Sequence, residues 1–210
     1  MKFPDQLPDS FLRFLKDLEA SYLESDDPIC QSGFGGGAQR WRAEREPILD
    51  AVQSDGDLLD IGCANGYLLE YLVQWGLERG IRITPYGLDQ GAHLVELARK
   101  RLPQFLEHLF VGNAWDWQPP RRFRYVYTLF GCVPQEYLKA YIDRLLSRTV
   151  ESGGRLIFGA CGRYEPPEVL LGVAILSWES FVEAWGGSED FSCERTSFVV
   201  NIIGITKKFL

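Results

Sequence analysis

The run LLDIGCANG at 58–66 places an acid, Asp60, two residues before a glycine, and then small residues at alternating positions, Gly62, Ala64 and Gly66. Such a turn after an apolar strand lets backbone approach a nucleoside closely, so its spacing has to decide which cofactor it suits, or whether it is a plain tight turn. A dinucleotide fingerprint needs G-x-G-x-x-G; counted from Gly62, its second glycine falls on Ala64 and its third on Tyr67. Tyr67 is too bulky for the close helix-to-strand packing that the third glycine serves. A phosphate loop ending in Lys-Ser or Lys-Thr is also excluded, because neither pair follows the glycines here or in GFGGGAQRW at 33–41. Downstream, YGLDQG puts Asp89 23 residues after Gly66. At the carboxyl end of the next strand, such an acid accepts from ribose hydroxyls or caps the helix starting near Gly91.

With these residues in this order, the chain resembles the class I S-adenosylmethionine-dependent methyltransferases. Their first motif is commonly D-x-G-x-G-x-G, and here Ala64 stands where the middle glycine usually does. The resemblance in order and spacing covers residues 57–161. In VGNAWDW, 111–117, Asn113 replaces the acid that in the family accepts from the adenine amine, and its amide oxygen can still accept. Trp115 either flanks the adenine or packs under the edge of the sheet. In FRYVYTLF, Tyr125 stands where many relatives carry Asp, and SGGRLIFGA, 152–160, matches the family's usual approach to its fifth strand. No N-P-P-Y or D-P-P-Y tetrapeptide is present, so methylation of nucleic-acid bases or glutamine side chains recedes.

The resemblance implies S-adenosylmethionine as cofactor, S-adenosylhomocysteine as product, and a small-molecule acceptor. The cofactor site it implies comprises Asp60, Gly62, Cys63, Ala64, Gly66, Asp89, Gln90, Asn113, Ala114, Trp115 and Leu129. No catalytic residue is assigned. His93 lies on a helix with apolar neighbours, His108 precedes the third strand at the wrong end of the sheet, and Tyr127, Glu136, Tyr164 and Glu165 read as structural. The missing base and the substituted Asn113 and Tyr125 motivate an alternative, a non-catalytic cofactor-binding or scaffolding protein of the same fold. A nicotinamide-dependent oxidoreductase is disfavoured by Ala64 and Tyr67.

The elements that must position these residues alternate. Short β-type runs at 57–62, 82–89, 109–114, 123–130 and 154–161 are separated by helical candidates at 67–79, 92–101, 135–148 and 168–185. Strands alternating with helices predict a parallel sheet covered on both faces, with ligands bound beyond the strands' carboxyl ends. The tail FSCERTSFVVNIIGITKKF holds two β-rich runs with no helix-length connection, which predicts an antiparallel strand. The fold class is therefore α/β, a doubly wound, mostly parallel seven-stranded sheet with an antiparallel C-terminal strand and an N-terminal helical extension, the Rossmann-like methyltransferase fold. Residues 1–53 are read as N-terminal helices and a glycine-rich lid loop, and 54–210 as the cofactor-binding domain, in one compact unit. A helix is predicted over 9–25, with Asp9 or Ser10 as cap, and another from Ala38 to about Val52. The break between them, 31–45, is read as a lid or a mere connector. One of Arg40, Arg42 and Arg45 is placed to meet a methionyl carboxylate or an anionic acceptor, against the default of solvated helix-face charges.

Composition excludes several classes. The net charge of -7 and the shortness of the basic patch RRFR at 121–124 disfavour nucleic acid as a partner. Five dispersed cysteines and two histidines show no metal-ligand spacing. The apolar stretch at 169–176 is too short to span a bilayer, and MKFPDQLPDS does not read as an export signal, so a soluble cytoplasmic protein is expected.

Overall fold

Leu58 and Leu59 are both fully buried yet belong to opposite core clusters, as the two-residue period of a strand covered on both faces requires. They lie in β1 (Gly56–Ile61), the centre of a parallel sheet. The computed structural model describes residues 5–159, together with the backbone of 173–176 and 197–201. Strand β1 pairs on one side with β2 (Ile83–Asp89), which pairs with β3 (Leu109–Val111), and on the other with β4 (Phe123–Leu129), which pairs with β5 (Val150–Gly159), all parallel. The order is therefore β3-β2-β1-β4-β5, and the chain reverses direction across the sheet between β1 and β4. Beside β5 the backbone of Ser197–Asn201 runs parallel, and that of Val173–Leu176 runs antiparallel to Ser197–Asn201.

Helices α1 (Asp9–Tyr22), α2 (Pro28–Gln31) and α3 (Ala38–Arg45) precede the sheet, and α4 (Tyr67–Glu78), α5 (Ala92–Arg101) and α6 (Leu138–Arg144) cross between its strands. One face packs Leu59, Ile61, Val126, Leu156 and Phe158 with Tyr141 and Ile142 of α6. The other packs Leu58, Tyr125, Tyr127 and Ile157 with Leu69, Leu72 and Trp75 of α4, Val95 of α5, and Ile48, Leu49 and Val52 from before β1. Residues 29–52 thus share one core with the sheet.

Several expectations are corrected. The helix predicted from Ala38 to Val52 stops as an α-helix at Arg45 and continues as a 3-10 turn over Glu46–Ala51, because Pro47 has no N–H to donate to the preceding turn. Helix α1 ends at Tyr22 and starts after Pro8, with no side-chain cap from Asp9 or Ser10. The 135–148 helix is a 3-10 turn, α6 and a π-turn in succession. Within the predicted 168–185 helix, Val173–Leu176 is extended, in keeping with the strand preference of its β-branched Val173 and Ile175. The rest of that segment, with Tyr164 and Glu165, lies outside the described residues. Among the described residues no helix is long and apolar enough to cross a membrane.

Candidate functional site

Beyond β1 the chain turns through three residues with positive φ, Gly62 (91°), Ala64 (46°) and Gly66 (72°), before α4 begins. The neighbouring strand pins this turn. Asp89, the last residue of β2, accepts from the Ala64 N–H through Oδ2 (2.8 Å) and from the Gly91 N–H through Oδ1 (2.8 Å). Both roles read for Asp89 are thereby compatible, since it orders the loop before α5 while each oxygen keeps a further lone pair. Gln90, half-buried, completes that loop. The glycine needed for close packing is Gly66, where a Cβ would stand 2.9 Å from Cβ of Ala98 in α5. Tyr67 instead turns outward into a ring cluster, 4.8 Å from Tyr71 and 4.7 Å from Trp41 of α3.

The carboxyl edge of the sheet is covered by the N-terminal elements. Asn65 is fully buried and donates to the Pro28 carbonyl (2.9 Å), fastening α2 over the turn. The Glu19 carboxylate of α1 accepts from the His93 N–H (3.1 Å) at the start of α5. Under this cover lies a cavity of about 30 Å³ lined by Ser32, Trp41, Arg45, Asp60, Gly62, Cys63, Leu68, Tyr127 and Leu129. Asp60 is buried at 2% exposure, and burial, with the charge of Asp89 adding to it, pushes its carboxyl up to about 8. Burial likewise pushes the Cys63 thiol upward. Arg45, 8% exposed, is the cation facing them.

Asp60, Gly62, Cys63 and Leu129 meet at this cavity, whereas Ala64, Gly66, Asp89 and Gln90 do not line it and belong to the turn and loop tied together by Asp89. The third-strand loop stands apart. Asn113 Oδ1 accepts from the Trp115 N–H (2.8 Å), and Ala114 is half-buried. The Trp115 ring is 2% exposed, with the Arg144 guanidinium 3.9 Å from its centroid, so it packs beneath the sheet. Tyr125 serves the opposite end of β4, where its hydroxyl accepts from the Gln53 (3.2 Å) and Ser54 (3.1 Å) N–H groups. His108 stacks on Tyr86 at 3.9 Å, away from the cavity, and the His93 side chain is 76% exposed.

No family model matches the sequence, and no curated protein matches it. Among solved structures the [4+2]-cyclase SpnF superposes with a TM-score of 0.53 at 16% identity, over 85% of this chain and 72% of that one. What this chain shares with it is the fold, an α/β Rossmann-like arrangement on a parallel sheet. Two further solved structures are similar at lower scores. One is phosphoethanolamine N-methyltransferase 1 of Haemonchus contortus, crystallised with phosphoethanolamine and S-adenosylhomocysteine (18% identity, 70% of this chain, 30% of that chain, TM-score 0.49). The other is magnesium protoporphyrin IX methyltransferase of Synechocystis with bound SAM (17%, 68%, 73%, 0.46). The chain thus spans under a third of the Haemonchus enzyme's length. In an open parallel sheet of this order, the β1/β4 reversal is where a crevice opens, and the cavity lies there.

Sequence reading did not bring Trp41, Ser32 or Leu68 to the site. The signal was available for Trp41, since Trp41 and Arg45 are four residues apart and share one helix face. Arg40 and Arg42 pair instead with Glu44 (2.6 Å) and Glu46 (2.7 Å) along α3.

Proposed function

We propose that this protein is a methyltransferase that uses S-adenosylmethionine to methylate a small molecule. The observation that carries the reading is the positive-φ turn Gly62–Gly66, pinned by Asp89 and opening on a cavity that holds an acid and an arginine. The donor set fits the cofactor's ends: Asp60 for an ammonium, Arg45 for a carboxylate, Asp89 and Gln90 for ribose hydroxyls, and Asn113 with the Ala114 backbone for the adenine edge, beside Trp115. Cys63, Ala64, Gly66 and Leu129 supply close approach. A cavity of about 30 Å³ has room for only a few waters, so the cover formed by 28–45 moves aside to admit a nucleoside.

When bound, the sulfonium cofactor supplies an electrophilic methyl group. The chain's task is to orient the acceptor lone pair in line with it and to exclude water, which Trp41, Leu68 and Tyr127 do by lining the cavity. A non-catalytic binding role is the second reading, favoured by one observation: burial holds both Asp60 and Cys63 toward their protonated forms, which are poor bases. We further take the sheet to be completed to seven strands by the C-terminal segments, with one antiparallel pairing, and the protein to be cytoplasmic. Calorimetry with S-adenosylhomocysteine and with NADH tests the cofactor. We expect binding of the first only, and its absence sinks the reading. Methyl transfer to a panel of small hydroxyl, thiol, amine and carboxylate compounds then separates enzyme from binder.

A further inference from the structure

Between the positive-φ residues Ala64 and Gly66 stands Asn65, a polar side chain with no exposure. Its amide is used at both ends. Oδ1 accepts from the Tyr67 N–H at the start of α4 (3.2 Å), while Nδ2 donates to the Pro28 carbonyl (2.9 Å) and to Gln31 Oε1 (3.4 Å) of α2. The amide cannot turn over, since its oxygen faces a donor and its nitrogen faces two acceptors. Around α2 the chain folds on itself. Asp27 accepts from the Ile29 N–H (2.9 Å), Gln31 Nε2 donates to the Ser25 carbonyl (2.8 Å), and the Ser32 hydroxyl donates to the Ile29 carbonyl (2.7 Å). This compact piece leads to α3 through Gly35 and Gly37, where a Cβ meets nothing within 4 Å among the described residues. Helix α3 is anchored by contrast: Trp41, 2% exposed, packs on Tyr67, Tyr71 and Trp75 at 4.7 to 5.4 Å.

We propose that Asn65 is the latch that sets the rate of cofactor exchange: α2 lifts from the turn about the 33–37 glycines and carries Ser32 off the cavity, while α3 stays seated. The inference rests on the methyltransferase reading, because what has to pass is the cofactor. A cavity of about 30 Å³, with Ser32 in its wall, cannot admit a nucleoside while α2 is down. Lifting α2 breaks the Asn65 bonds and exposes Ile29 and Phe34, which are buried at 7% and 8% exposure. The return of these two side chains to the core closes the site again. The latch is made whether or not the cofactor is in place, so loosening it speeds entry and exit together and moves the binding equilibrium little.

Asn65→Asp tests this, because it keeps the side chain's size and the acceptor for Tyr67 but sets an oxygen against the Pro28 carbonyl and Gln31 Oε1. Stopped-flow tryptophan fluorescence on the full chain, with S-adenosylhomocysteine as the probe, should show association and dissociation both quickened by about 10-fold, as loss of one buried hydrogen bond allows, with Kd kept within about threefold. Association unchanged or slowed, with a weaker Kd, overturns the proposal, because Asn65 is then a part of the turn and not a gate. Gln31→Met, away from the turn, removes the longer of the two bonds and should quicken both rates by less. If Asn65→Asp does not fold, unchanged rates in Gln31→Met overturn the proposal in its place. Hydrogen exchange separates the latch from the methyltransferase reading. Failure of the unaltered protein to bind S-adenosylhomocysteine overturns that reading. Exchange in Asn65→Asp that is faster over 29–34 and unchanged over 67–78 still upholds Asn65 as the hold on α2, and unchanged exchange over 29–34 overturns it.

Discussion

Ala64 holds a φ of 46°, a left-handed conformation that glycine takes without cost and an L-residue does not. Two interactions keep it there: its N–H is tied to Asp89, and the side chain is buried at 6% exposure. The strain of such a residue is about 1–2 kcal/mol. Ala64→Gly relieves it but frees the unfolded chain by about 0.5–1 kcal/mol, so the variant should be more stable by up to about 1 kcal/mol in urea unfolding. Ala64→Val, β-branched in the same conformation, should lose more than about 2 kcal/mol. A destabilised glycine variant would mean that the alanine methyl group is required by its packing. The position that needs glycine absolutely is Gly66, since a side chain there would press on the backbone of Ala98, with Cα at 3.1 Å.

Elements were legible where a buried strand or an amphipathic period is long. The five parallel strands fall where the apolar runs are, and the 92–101 helix falls on its predicted bounds, because burial on both faces and a 3.6-residue period leave strong marks. What escaped was tertiary. Nothing in the sequence says that α2 would fasten to Asn65, that Glu19 would reach the N-terminus of α5, or that Trp115 would prefer the core to the crevice. The 33–37 segment shows the same division. Glycines are needed at Gly33 and Gly37, with φ of 79° and 75°, but a Cβ at Gly37 meets nothing within 4 Å, whereas one at Gly33 would lie 2.5 Å from the Tyr22 hydroxyl. Gly37→Ala should therefore cost only the conformational term, about 1–2 kcal/mol. Gly33→Ala should cost more and loosen α1 as well, seen as faster hydrogen exchange over 9–22. Equal effects of the two substitutions would show that the Tyr22 contact does not hold the segment.

At the scale of the molecule, the N-terminal elements divide into one part that belongs to the core and one that only covers it. Helix α1 has no fully buried residue; among the described residues before α2, Leu7 is buried at 4% exposure and Phe11 and Leu12 pack half-buried against the same core. A chain starting at residue 25 gives up about 1.5–3 kcal/mol from the burial of Leu7, with the partial burial of Phe11 and Leu12 besides, and should fold, with a lower melting temperature. Without Glu19 over the loop at His93, its association with S-adenosylhomocysteine should quicken in stopped-flow mixing; slower association would mean that α1 builds the site rather than covering it. A chain starting at residue 54 is a different case. It lacks Ile29, Phe34, Trp41, Ile48, Leu49 and Val52, all buried against Leu58, Trp75 and Tyr125. Six large side chains represent on the order of 10 kcal/mol of burial, comparable with the whole net stability of a domain, about 5–15 kcal/mol. The 54–210 chain should therefore show no cooperative unfolding transition by near-ultraviolet circular dichroism, whereas the 25–210 chain should. A cooperative transition in the shorter chain would make residues 1–53 an independent extension, and the shared core would then not be what holds the cover in place.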